Sequence, residues 1–310
     1  MWDYDAFIGK AQLYFSRAQD GADDESTLWL LLGLEFLLRA PLAKIHPTLL
    51  ADPQAGGGDS IMQAAGYPMK VNAGPPKSIA THTVIGRLGA IILDFNKDRQ
   101  NEATTLAGLR NEELHSSESP LVTEQEQWLP HFTRVVDTVC EHLGLDPLDL
   151  VGSEIISHGR SLVDAADRKL EHLVLKRINE AKAFFSKLTP QEVSARRSEA
   201  ARQIVGVPAW KTVIESAVTF WRLLACPACE EPAEVELEAV RTTNERLEEG
   251  EIIRDIVYIV KGLKCQVCGL ELANTAEIRS AGLRQQYIWH EKESLEDRYE
   301  NTLEPDYGND

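Results

Sequence analysis

Two groups of residues in this chain have the types and spacing to do chemistry. The first is Arg110-Asn111 followed by His115, within the stretch LRNEELHSS (109–117). Imidazole titrates near neutrality and can carry a proton either way. Guanidinium keeps its charge, and its fork of donors matches phosphate oxygens. A proton carrier plus a cation is what RNA cleavage without a metal needs. On a helix Asn111 and His115 are four apart and share a face, so Asn111 can bond the imidazole or a substrate phosphate. Arg110 lies about 140° round from His115 on a straight helix. Its side chain must curl back, or the helix must begin near it, and the polar run NKDRQNEATT (96–105) is consistent with a late start. The spacing alone also arises by chance, and a solvated helix face is the plain alternative.

The second group is two Cys-x-x-Cys pairs, Cys226/Cys229 (CPAC) and Cys265/Cys268 (CQVCG), with 35 residues between them. A two-residue gap lets one tight turn present both thiolates to a single ion, and two such turns joined by a hairpin complete a tetrahedron. Gly269 suits the sharp backbone after the second pair. Paired disulfides fit poorly with a start that shows no export signal. A redox Cys-x-x-Cys comes singly, beside a βαβ pattern. The expected cofactor is one structural zinc per chain. Four thiolates fill its shell, so it holds a fold and activates no water, and no catalytic metal is expected. Cys140, beside an apolar stripe, reads as a plain core residue.

Helices must position the first group and strands the second. Phe7, Ala11, Tyr14 and Phe15 recur at helical spacing, and residues 26–46 form the most apolar helix, with Glu35 and Arg39 four apart. Glu35 is either an ion-pair partner of Arg39 or a support for the Arg110 site. The Gly/Pro-rich loop 52–76 is too long for a simple connector and reads as mobile or a lid. Further stripes run through Val84–Phe95 and Trp128–Leu143, giving about five helices and no strand over 1–145. A long helix over 161–188 follows, then another capped by Thr189 with Pro190 in its first turn. From about 218 the pattern alternates with period two, in AEVELEAV and IIRDIVYIV around a charged turn NERLEEGE. The expected architecture is mainly α: a helical domain (1–145), a helical arm (146–217), a small β zinc ribbon (218–285) and a solvated acidic tail (286–310).

At 310 residues, with 43% apolar and 26% charged, the chain is long enough for about two ordinary globular domains. The run LWLLLGLEFLL is short of the ~20 residues that span a bilayer, so no membrane is expected, and the N-terminus favours a cytoplasmic address. A net charge of −17 excludes a protein that coats DNA by bulk electrostatics. Lys and Arg number 11 against 22 acids in 1–159, 10 against 6 in 160–203 and 11 against 21 in 204–310. The basic middle segment either grips a polyanion or is a solvated face.

The helical part resembles the HEPN superfamily. The resemblance rests on Arg110-Asn111-Glu112-Glu113-Leu114-His115 and on the helix GLEFLLRAPLAKIHPTLL (33–50), with its acid Glu35 and its His46-Pro47. It covers roughly residues 1–145 and leaves the ribbon outside. It implies a metal-independent endoribonuclease of the defence, toxin or RNA-processing kind, with RNA as substrate and Arg110, Asn111 and His115 as catalytic residues. It also implies a homodimer that puts two Arg/His motifs in one cleft, since 2′-hydroxyl attack needs a base and an acid and each chain has one such histidine. The ribbon or the arm would position substrate or recruit a regulatory protein partner. The alternative is a non-catalytic dimeric regulator that binds nucleic acid or protein through the ribbon. AGGGDS (55–60) lacks the Gly-Lys-Ser/Thr ending of a phosphate loop. His46 reads as a helix-end residue, and the remaining histidines show no metal spacing.

Overall fold

The computed structural model describes residues 2–21, 23–69, 74–117, 121, 125–205 and 219–295. They fall into two compact units, Met1–Ala165 and Ala166–Asp310. No helix among the described residues is long and apolar enough to cross a membrane.

The first unit is helical. Helix α1 (Tyr4–Asp20) starts where the Asp3 carboxylate accepts from the Ala6 amide at 3.1 Å, and it buries Ala11, Phe15 and Ala18. Helix α2 (Asp23–Leu37) packs against it. Gly33 faces the Phe15 ring so closely that any Cβ would collide with it, which accounts for a glycine inside the most apolar helix. The single helix expected over 26–46 is in fact two. The chain turns at Leu38–Arg39, and α3 (Ala40–Ile45) carries Pro41 in its first turn, where the missing N–H costs nothing. His46 ends α3, and its ring nitrogen accepts from the Thr48 amide at 3.2 Å, as its helix-end reading predicts.

Within the predicted loop 52–76, the described residues are folded back on the unit. They form a 3-10 turn (Ala55–Gly58) and α4 (Asp59–Ala64), and the Ser60 hydroxyl accepts from the Lys77 amide at 3.0 Å. Residues 70–73 lie outside the described set. Helix α5 (Thr81–Ile91) buries Val84, Ile85 and Leu88. Helix α6 (Lys97–His115) corrects the late start: Asn96 caps it by accepting from Asp98 and Arg99 amides at 3.0 and 3.1 Å. The polar run is therefore a cap and the first turns of the helix, in which only Ala103 is buried. Helix α7 (Gln125–Leu143) turns Trp128, Phe132, Val135, Val136 and Val139 into the core. Helix α8 (Pro147–Val151) follows, then α9 (Ser153–Phe185), whose Ile156 closes this core. Cys140 is fully buried there, and burial pushes its thiol up to about 12, the behaviour of a packing residue.

The second unit takes in the rest of α9, then α10 (Pro190–Val205), then an antiparallel sheet. Thr189 and Glu192 cap α10 reciprocally: the hydroxyl accepts from the Glu192 amide at 3.3 Å, and the carboxylate accepts from the Thr189 amide at 2.7 Å. Strands β1 (Thr219–Ala225), β2 (Pro232–Glu248) and β3 (Glu251–Lys264) pair in order. The far side of β3 carries the short β4 (Glu271–Leu272) and then β5 (Gln286–Ser294), with α11 (Thr275–Ser280) between them in sequence.

Three expectations change here. The predicted turn NERLEEGE is mostly strand, because Glu249 and Gly250 alone turn the chain, both at positive φ (51° and 85°). The acidic tail does not begin at 286, since β5 pairs with β3 from Gln286 to Ser294, while 296–310 lie outside the described residues. The arm is not a separate element either. Val174, Ile178 and Ala181 of α9 share one apolar cluster with the four cysteines and with Val235, Leu237 and Val260 of the sheet.

Candidate functional sites: an arginine cluster and a cysteine cluster

Arg110 does not lie on a solvated face. Its side chain is 12% exposed, and its Nη1 meets Oε2 of Glu35 on α2, itself 13% exposed. The other oxygen of Glu35 takes Arg39 Nη1 and the Thr81 hydroxyl, the latter at 2.7 Å. Of the two readings of Glu35, the ion pair with Arg39, one turn on, is present. Glu35 also holds Arg110 from the neighbouring helix.

Asn111 is placed differently from expectation. Its Oδ1 accepts from Arg110 Nε at 3.2 Å and from Nη2 at 2.7 Å, so it steadies the arginine rather than the imidazole. His115 is the last residue of α6 and is exposed, as is Leu114 beside it at 47%. Both motif residues sit on one helix, with the arginine turned to the protein and the histidine to solvent. The arginine does not curl back toward the histidine as expected, and Glu35 supplies the cause.

The cluster carries two guanidiniums against one carboxylate, a surplus of one positive charge in a half-buried place. Such a surplus attracts an anion more strongly than an exposed arginine does, because less water screens it. Glu35 and Asn111 take three of the five N–H donors of Arg110, and among the described residues the other two have no protein partner.

A second charged cluster on α6 and α7 had no sequence signal. Glu102 pairs with Arg99 at 2.8 Å, His131 at 3.2 Å and Arg134 at 3.4 Å. It ties the two helices together beside the core.

The four cysteine sulfurs lie within 4.8 Å of one another, with Cys226–Cys268 and Cys229–Cys265 each 3.6 Å apart. The cysteines are free. Zinc–sulfur bonds of about 2.3 Å in a tetrahedron put sulfurs about 3.8 Å apart, so the donor set and its dimensions are compatible with a structural zinc ion. The two turns are near copies. The Glu230 amide donates to the Cys226 carbonyl at 2.9 Å, and the Gly269 amide donates to the Cys265 carbonyl at 2.8 Å. Both following residues have positive φ, 63° at Glu230 and 78° at Gly269. Hydrogen bonds from Cys265 and Cys268 drive the Cys226 thiol down to about 2, while burial pushes Cys229 up to about 12. The sulfurs thus share protons that a divalent cation would displace.

Helix α10 straps both turns, a feature the sequence reading missed. Arg196 donates to the Val267 carbonyl, between Cys265 and Cys268, at 3.2 Å, while its guanidinium lies 5.0 Å from the Phe184 ring. Arg197 grips the Glu231 carboxylate next to the first turn. Arg177 reaches Glu277 at 2.8 Å, and Arg279 reaches Asp167 at 3.1 Å. Two bases of 160–203, Arg177 and Arg197, are therefore paired with acids of the ribbon, while Asp167 of the same segment takes a ribbon arginine. The signal was present as opposite charge in two neighbouring segments, and the one-dimensional reading did not pair them.

The chain matches no family model, no curated protein and no solved structure.

Proposed function

We propose that the chain is a metal-independent endoribonuclease of the HEPN kind, acting at Arg110 and His115. The observation that carries this reading is the Arg39–Glu35–Arg110 cluster, whose surplus positive charge and remaining Arg110 donors suit a phosphate. In this reading the exposed His115 side chain swings back toward the phosphate held by Arg110 and takes the proton from a 2′-hydroxyl. The freed oxygen attacks phosphorus, the bond to the 5′-oxygen breaks, and that oxygen leaves with a proton. The products are a 2′,3′-cyclic phosphate and a 5′-hydroxyl. Arg110 holds the non-bridging oxygens as their charge grows, and Asn111 fixes the guanidinium plane.

One histidine cannot be base and acid in the same step, so the reading requires a homodimer in which a second copy supplies the proton. Leu114, exposed beside His115, is an apolar contact suited to that interface. In the same reading Cys226, Cys229, Cys265 and Cys268 hold one structural zinc per chain, which keeps the second unit folded and takes no part in the chemistry.

The test is incubation of the purified protein with RNA, with and without chelator, and analysis of the product ends. Cleavage with cyclic phosphate ends that survives brief chelation supports the proposal. Equal cutting of a 2′-deoxy substrate rules it out. A second reading, a non-catalytic regulator, is favoured by the inward turn of Arg110 onto Glu35, which gives the arginine a structural task. It predicts no cleavage under any condition.

A further inference from the structure

We infer that the first unit contains a base-binding pocket for single-stranded RNA beside the Arg110 cluster, formed by α1, the end of α2 and Trp2. The inference deepens the ribonuclease reading and rests on it for the choice of ligand.

A cavity of about 270 Å³ is lined by the aromatic rings of Trp2, Phe7 and Phe36, with Asp3 and Lys10 around it and Arg39 among its walls. Pockets for drug-sized ligands run about 300–1,000 Å³, so this one suits a single planar ring system. Its aromatic walls are already ordered. Phe7 and Phe36 stack at 6.4 Å, and Tyr14 backs Phe36 at 5.4 Å with the rings nearly parallel. Order that exists before binding need not be acquired on binding.

The charge around the cavity selects the ligand further. The Lys10 ammonium lies 4.3 Å from the Phe36 ring centroid, and among the described residues no carboxylate pairs with it. A cation beside stacked aromatic rings is the arrangement that holds a base and its phosphate together without reading sequence. Asp3 adds a carboxylate that can accept from an exocyclic amine, because capping the Ala6 amide uses only one of its oxygens.

Position links the pocket to the chemistry. Arg39 lines the cavity and binds Oε1 of Glu35, while Arg110 binds Oε2. One carboxylate therefore separates the pocket from the proposed phosphate site. A base held in the cavity would lie on the Arg39 side of that carboxylate.

The test uses full-length His115→Ala protein, which keeps the pocket and removes cutting, with a short fluorescent single-stranded oligoribonucleotide. Adding Trp2→Ala should weaken binding about tenfold, the loss typical of one stacking contact, while Trp2→Phe should restore most of it. Lys10→Ala should weaken binding and lower the salt dependence by about one phosphate. An abasic oligonucleotide should bind the parent protein as weakly as RNA binds Trp2→Ala. Undiminished binding by Trp2→Ala with its fold intact, or tight binding of the abasic strand, overturns the pocket. So does a finding that Trp2→Ala disrupts a dimer while RNA affinity is unchanged, since the surface would then be a protein contact. If the pocket variants behave as expected and wild-type protein cuts nothing, the catalytic reading fails and the pocket stands.

Discussion

Glu35 of α2 and Arg110 of α6 meet as an ion pair inside the first unit, oxygen Oε2 on nitrogen Nη1. The contact joins two sequence features that stand 75 residues apart, the acid of the apolar helix and the arginine of the Arg-Asn motif. Arg110 thus has a structural tie as well as a proposed chemical one, and the two can be separated by mutation.

Glu35→Ala leaves two guanidiniums without their carboxylate, and removal of one partner of a buried pair costs on the order of 3 kcal/mol. Glu35→Gln should cost less, because the amide oxygen can still accept from the Thr81 hydroxyl and one guanidinium. Urea unfolding of both variants measures this. Two variants indistinguishable from wild type would mean the cluster is not holding the helices.

In the cleavage assay His115→Ala and Arg110→Ala should each lower the rate by roughly 10²–10⁴-fold. Their stabilities should differ. His115 is exposed and should be nearly neutral, whereas Arg110→Ala releases Glu35 and should also lower the melting temperature. A His115→Ala protein with full activity ends the proposal for this residue.

Metal analysis of freshly purified, reduced protein should find one zinc per chain. Cys226→Ser should abolish it and melt the second unit, including the part of α9 from Ala166 onward, because those residues pack on the cysteine cluster. The helical signal of the first unit should persist. Normal far-UV spectra from a metal-free Cys226→Ser protein would contradict a folding role for the ion.

The hydrogen bond from Arg197, aided by its Coulomb attraction and opposed by burial, holds the Glu231 carboxyl below its ordinary range. A carboxylate depressed in the folded state stabilises fully above the unfolded glutamate pKa of about 4.3, and that stability is lost as pH falls through the lower folded value. Arg197→Ala should therefore destabilise the second unit near neutrality and match wild type in acid. Thermal melts of both proteins from neutrality down to the acid range read this difference. A gap that persists at the lowest pH would point to packing, not charge.

Glu230 and Gly269 occupy equivalent positions after the two cysteine turns, both left-handed. Only one is glycine. Glu230→Gly should stabilise the ribbon by about 1 kcal/mol and Gly269→Ala should destabilise it by a similar amount. Opposite signs in denaturant midpoints check the near-copy geometry of the turns.

Much of this was legible in the chain, and the misses have physical causes. Cys226, Cys229, Cys265 and Cys268 came together because short local turns plus a hairpin leave few other arrangements. The stripe from Trp128 to Leu143 proved buried because hydrophobic period alone determines which face a helix covers. Local pattern could not show that Arg110 would find Glu35, or that Arg196 and Arg197 would reach the cysteine turns. Those contacts depend on how separate helices pack. Exposed strand residues such as Arg246 and Glu248 read as a turn because charge on a solvent-facing strand looks like charge in a loop. The start of α6 was misread because Asn96 caps two turns that bury little, which leaves no apolar period to see.

The strap of α10 over the cysteine turns bears on how the protein can be divided. A fragment that begins at residue 218 would remove Arg196, Arg197, Val174, Ile178 and Ala181, and expose the apolar surface on which the cysteine cluster rests. A fragment that ends at 150 would cut away Val151 and Ile156, both fully buried in the first core. The natural place to separate the halves is inside α9, at Ala165–Ala166, in the middle of an unbroken helix. Each piece would then keep its own share of that helix as a wall of its core, and neither half is a module bounded by a loop.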